Sequence, residues 1–180
     1  MTMMNKKIET ELDLKSKDME TQQFKHLLIK TAFSCMASDG HIDDLELKII
    51  HKMCEESHLF DDINYKAELQ EQAQLLNSEG KVFVNNYLKE LQLSDLDKEQ
   101  ELSIIDFAIQ TIEADEEVQY SEVKFFKVIK SKLKLSKDEI LERFPGIEDY
   151  LEEDIITDNH LIELLDDSFS KLGDFDILTQ

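Results

Sequence analysis

Asp39, Glu46, Asp115 and Glu122 are the residues of this chain whose type and spacing point most directly to chemistry. Asp39 and Glu46 belong to the run Ala37-Ser38-Asp39-Gly40-His41-Ile42 followed by Glu46. Asp115 and Glu122 belong to Ala114-Asp115-Glu116-Glu117-Val118 followed by Glu122. The two acidic loops occupy the same place in a longer match, in which Leu28–Leu59 lies over Ile104–Leu135 without a gap at a constant offset of 76. Its pairs include Ala32/Ala108, Phe33/Ile109, Met36/Ile112, Ile50/Phe126 and Leu59/Leu135. Apolar rhythm and acidic loop recur together, as expected for an internal repeat of one helix–loop–helix unit. Packing of the two units about a pseudo-twofold axis would let Ile42 and Val118 meet in the core. The four carboxylates would then converge, with Gly40 permitting the tight turn and Asp43, Glu116 and Glu117 as further donors. Such a cluster binds a hard divalent cation (calcium, magnesium or manganese) or raises the pKa of its own members.

Each loop alone is a poor calcium site. Asp39-Gly40-His41-Ile42 with Glu46 reproduces the second half of an EF-hand loop, but Cys35 and Ala37 stand where its first half needs oxygen ligands. A structural role accounts for the same residues: Asp43-Asp44-Leu45-Glu46 has capping-box spacing, and Asp39 can bond backbone amides in a turn. His51, Cys54 and His58 share one helix, where seven residues at ~1.5 Å rise set the two histidines about 10 Å apart, too far for a common zinc. No phosphate loop, nucleophile elbow or zinc-protease motif is present, and Phe125-Phe126 and the methionines read as core. The expectation is a protein that is not an enzyme.

The elements that must position these groups are helical. Apolar residues at Phe24, Leu27, Leu28, Ala32 and Cys35 predict a helix to Met36, stopped at Gly40. A second helix opens at Asp43, a third covers Asp61–Leu76, and a fourth runs over Val82–Leu91. Ser94-Asp95 is read as the start of the next, Val123–Leu133 as another, and Ser136 with Glu139 as a capping box for a last helix ending before Pro145. The fold class is therefore all-α: two pseudo-symmetric repeats, about 24–60 and 100–136, forming one compact helical domain over 21–145. A polar N-terminal arm (1–20), mobile or a frayed helix, precedes it, and an acidic C-terminal extension (146–180) follows. That extension carries eleven acids against one base from Glu148 to Gln180, yet keeps a helical apolar stripe at Leu161, Ile162, Leu164, Leu165, Phe169 and Leu172. This pattern suits an amphipathic helix that docks on the body or on a partner.

Composition narrows the partners. In 180 residues the formal net charge is −21, and Arg143 is the one arginine. A field of that sign repels nucleic acid and anionic lipid, and attracts basic proteins or cations. No stretch approaches the ~20 apolar residues of a membrane span. With two cysteines and no secretory h-region at the start, a cytoplasmic protein with reduced thiols is expected.

The motifs Ala32–Glu46 and Ala114–Glu122, one half-domain apart, resemble those of the TerB-like family, named for tellurite resistance, over about Phe24–Arg143. The same domain type is found in a membrane-anchored J-domain co-chaperone. The resemblance implies an all-helical, two-repeat bacterial domain in stress response, with protein partners that are basic or membrane-associated. It also implies cation binding at Asp39, Glu46, Asp115 and Glu122. Glu116 departs from the family, where a glycine is common, and the acidic tail has no counterpart in it. Three functions follow as expectations. One is a scaffold or adaptor using its paired loops for a cation, peripheral to a membrane through a partner. Another is a metal-independent interaction module using the acidic face and tail. The third is a carboxylate-based, metal-dependent enzyme.

Overall fold

The computed structural model describes the backbone of residues 2–39, 42, 44–114, 118 and 120–152, with side chains from Met19 onward except at Asp39 and Asp44. Every regular element among these residues is helical. In chain order they are α1 (Thr2–Met36), a 3-10 turn (Ala37–Asp39), α2 (Asp44–Glu56), α3 (Tyr65–Glu79), α4 (Lys81–Leu93), α5 (Lys98–Ile112), α6 (Tyr120–Lys132), α7 (Lys137–Arg143) and a second 3-10 turn (Glu148–Leu151). None of the described helices is long and apolar enough to cross a membrane. The polar 1–20 stretch is continuous with α1 from Thr2 onward.

Local chemistry sets the boundaries. The fifth helix starts at Asp97 rather than at Ser94-Asp95, because Ser94 is engaged in ending α4. Its amide and hydroxyl both donate to the Glu90 carbonyl, at 3.0 and 2.8 Å. Asp97 Oδ1 then accepts from the Gln100 amide at 2.9 Å, while Gln100 Oε1 accepts from the Asp97 amide at 3.0 Å. This reciprocal box satisfies two otherwise orphaned donors. The third helix likewise starts later than Asp61, at the point where Asn64 caps the Ala67 amide. Ser136 and Glu139 form the expected box at the start of α7. Between α3 and α4, Gly80 adopts φ +56°, a conformation that L side chains rarely take.

The long pair α1 and α5 makes the most extensive contact in the fold and forms its centre. Around it, α3, α4 and α6 pack on α1, while α2, α6 and α7 pack on α5. Leu28, Ile29, Ala32 and Phe33 of α1, and Ile104, Ile105 and Ala108 of α5, are buried at this centre. Edge-on ring pairs tie elements together: Phe33–Phe83 links α1 to α4, and Phe60–Phe107 links the α2–α3 connection to α5, both at 5.9 Å. The core continues past Pro145 through Ile147 and Leu151, and the second 3-10 turn lies on α6.

Two polar locks fix how later segments return to the central pair. Lys25, nearly buried on α1, places Nζ 2.6 Å from Asp62 Oδ1, and Gln22 also bonds Asp62. Glu101 is buried on α5, and its Oε2 accepts the amides of Lys134 and Leu135 at 2.9 and 3.0 Å. The second lock joins the beginning of α5 to the segment just after α6, so these helices run antiparallel.

Candidate functional site

Glu46 and Glu122 are each the third residue of their helix, α2 and α6 respectively. Third-position carboxylates sit in the positive field of the unpaired amides at a helix start. Both are buried, at 7% and 4% exposure, which is uncommon for glutamate. Both act on the same buried thiol. Cys35, on the last turn of α1, is fully buried, and its thiol pKa is pushed well above the usual range by burial first, then by the charges of Glu122 and Glu46. One thiol therefore feels both carboxylates.

The surroundings of Cys35 are polar for a core. Tyr87, also fully buried, donates from its hydroxyl to Thr31 Oγ1 at 2.9 Å, and Thr31 donates in turn to the Leu27 carbonyl at 2.8 Å. Ser38, one turn beyond Cys35, is buried with no hydrogen-bond partner for its Oγ. The turn that carries Ser38 and Asp39 packs against α6. Tyr150 stacks edge-on against Phe126 at 5.9 Å and bonds Glu113 Oε1 at 3.2 Å. Its phenol pKa is raised to about 12 by burial, then by Glu113, with Glu122 contributing.

Of the four residues singled out in the sequence, the side chains of Glu46 and Glu122 are described, both buried and both acting electrostatically on Cys35. Asp39 has its backbone in the turn facing α6, while its side chain, and all of Asp115, lie outside the described residues. Asp43, Glu116, Glu117 and Gly40 lie outside as well, as does the Leu161–Leu172 stripe. Ile42 is buried as expected, but Val118 is 40% exposed and does not meet it in the core. Val118 lies two residues before the start of α6.

Carboxylate and hydroxyl oxygens are the donors that calcium, magnesium and manganese prefer, whereas the buried Cys35 thiol, its pKa raised, is a poor ligand for a thiophilic metal. Among the described residues, no group of three or more His, Cys, Asp or Glu side chains is arranged to hold a metal. A full set of six to eight oxygens would draw on Asp39 and Asp115. The histidine–cysteine trio neither shares a helix nor converges: His58 lies beyond the end of α2, exposed with Nδ1 3.4 Å from Asp61, His51 tilts against Tyr65, and Cys54 is buried with its pKa pushed to about 12 by burial.

Cys35 is the residue that the sequence did not mark. Its signal was positional, since it pairs with Thr111 at the offset of 76, and both are small, buried and polar. A separate surface feature is a groove of about 660 Å³ lined by Phe24, Leu27, Leu93 and Leu96, with Glu20, Glu90 and Asp95 at its edge. No protein-family model matches the chain, and neither a curated protein nor a solved structure matches it.

Proposed function

We propose that the chain is a non-enzymatic, TerB-like helical scaffold in which two acidic loops, one per repeat, hold a divalent cation under stress. The observation that carries this reading is the pair of buried carboxylates, Glu46 and Glu122, acting on one thiol from equivalent positions in two helices. The repeat itself is supported by burial that follows the offset. Leu28 and Ile104, Ala32 and Ala108, Met36 and Ile112, and Ile50 and Phe126 are all buried. Exchange of partners follows it too: α1 packs on α6, and α5 packs on α2. In this reading Glu46 and Glu122 are inner ligands, Asp39 and Asp115 complete the set, and the bound cation ties the repeats together. A stress-dependent, basic or membrane-associated protein would then recognise the cation-loaded form.

Thermal unfolding with EDTA and with millimolar calcium, magnesium, manganese or zinc tests it. A ligand at 100-fold its Kd stabilises by about 2.7 kcal/mol, or roughly 5–11 °C for a domain of this size. The shift is expected with a hard cation and is expected to vanish in Glu46→Gln/Glu122→Gln and in Asp39→Asn/Asp115→Asn. A flat response to all four ions retires the cation. The groove edged by Glu20, Glu90 and Asp95 favours a second reading, a metal-independent module that takes a basic amphipathic segment on Phe24, Leu27, Leu93 and Leu96. In that case Leu93→Asp abolishes partner capture, and EDTA leaves it unchanged.

A further inference from the structure

The chain is strongly acidic, but one stretch is not. Between Tyr120 and Lys137 there are six lysines, Lys124, Lys127, Lys130, Lys132, Lys134 and Lys137, against the single acid Glu122, which is buried. At ~100° per residue, Lys124, Lys127 and Lys130 fall within about 120° of one another on α6, opposite the buried Phe125, Phe126 and Ile129. Lys124 Nζ lies 3.9 Å above the ring of Tyr120, which is exposed beside Val118. The outer face of α6 is thus basic with an apolar end. This run is net +5 and residues 153–180 are net −7, so −19 of the formal −21 sits on everything else.

We propose that the acidic C-terminal segment, residues 153–180, docks on the lysine face of α6. Three observations select this occupant. The first is where the segment starts. The last 3-10 turn lies on α6, with Tyr150 against Phe126 at 5.9 Å on the apolar side of the helix, so the segment begins next to α6 and has only to pass round it to reach the lysines. The second is reach. The nine residues from Glu152 to Leu161 extend up to about 30 Å at ~3.3 Å each, while α6 is about 20 Å long at ~1.5 Å per residue. Any point on α6 is accessible to the Leu161–Leu172 stripe. The third is charge. Glu153, Asp154, Asp158, Glu163, Asp166 and Asp167 precede or interleave that stripe, and the remainder of the body repels them. Tethering raises the effective local concentration of the segment far above that of any free polyanion.

A nitroxide at Ser168→Cys in the full-length chain tests this by paramagnetic broadening of backbone amide signals. Cys35 and Cys54 are buried with raised pKa, so labelling goes to the new thiol. The expected result is severalfold loss of intensity for amides in 120–132, independent of protein concentration. It is lost in 1 M salt, where the screening length falls from about 8 Å to about 3 Å. It is lost as well in Lys124→Gln/Lys127→Gln/Lys130→Gln. Zero-length carbodiimide coupling of the unsubstituted chain is a second readout, expected to join those lysines to carboxylates of 153–180 within one molecule. Broadening elsewhere on the body, broadening that survives 1 M salt, or broadening that grows with protein concentration overturns the proposal. So does an α6 face that ignores the tail and shifts only with an added polyanion such as heparin.

Discussion

Glu101 offers the sharpest test of how this fold holds α6 in register. Its carboxylate is buried, and Oε2 takes two amide protons, from Lys134 at 2.9 Å and Leu135 at 3.0 Å. Hydrogen bonds to a charged acceptor contribute about 1.5–3 kcal/mol each, whereas water can replace a partner only where it reaches. Lys134 is exposed, so after Glu101→Ala its amide recovers most of that loss; Leu135 is buried, so its amide stays orphaned. An orphaned buried donor costs about 1–3 kcal/mol. With the lost side-chain packing, the expected destabilisation is about 3 kcal/mol, or a fall in Tm of roughly 6–12 °C for a domain of this size. Glu101→Gln keeps a carbonyl acceptor but exchanges charged for neutral bonds, about half as strong, so about 1.5 kcal/mol is expected. Urea unfolding followed by circular dichroism reads both, with an unchanged m-value as the check that the native and unfolded states are still the same. A loss under 0.5 kcal/mol for Glu101→Ala would refute the argument, as would equal losses for the two variants.

Three further outcomes follow from named contacts. Removing the Tyr87 hydroxyl with Tyr87→Phe leaves Thr31 bonded to the Leu27 carbonyl but takes away its own buried donor, so urea midpoints should report a loss of about 1 kcal/mol. His58 follows α2 with φ +50°, the left-handed region, and its ion pair with Asp61 is exposed; His58→Gly should therefore raise stability by about 1 kcal/mol, and an unchanged or lower Tm would contradict this. Glu139 has its pKa lowered to about 2, first by the Ser136 amide and then by Lys98 and the Ser136 hydroxyl. Because the folded value lies below the ordinary carboxylate value of 4.5, its contribution is present above pH 4.5 and is lost as pH falls through about 2. The Tm gap between the natural chain and Glu139→Gln should accordingly close over that window.

How much of this was legible in the sequence depended on the range of the forces involved. Local signals were reliable where one residue acts on its neighbours: the Ser136–Glu139 box and the stop before Pro145 stand as read. They misled where two helices compete for one linker. Ser94 looks like a start, but its hydroxyl is spent on the Glu90 carbonyl, and Asp97 caps α5 instead. The burial of Glu46 and Glu122 was foreseeable from the apolar rhythm around them, because equal offsets place both on the inner face of their helices. The exposure of Val118 was not, since it depends on how the chain approaches α6 rather than on residue type. Glu101 and Lys25 were invisible for a related reason. Each is a charged residue within an apolar pattern, and its partner is a loop some 35 residues away, which no periodicity encodes.

The net charge makes a last prediction that separates the body from its tail. The lysine–carboxylate pairs formed among the described residues include Lys25–Asp62, Lys30–Glu90, Lys98–Glu139 and Lys134–Asp95, and in each of these at least one partner is well exposed. Such pairs contribute about 0–1 kcal/mol each, and salt weakens them. Against them stand 41 acids and only 20 bases, so like-charge repulsion within the compact state is the larger quantity, and salt weakens that too. Screening should therefore stabilise the body, and Tm should rise between 0.05 and 0.5 M sodium chloride. The proposed contact between 153–180 and α6 is an attraction, so the same salt should release it. Opposite responses of Tm and of tail broadening in one titration are the expected signature. A Tm that falls with salt would mean that specific ion pairs outweigh the repulsion of 21 unbalanced charges. The lysine face of α6 would then be a structural part of the body rather than a landing place for its tail.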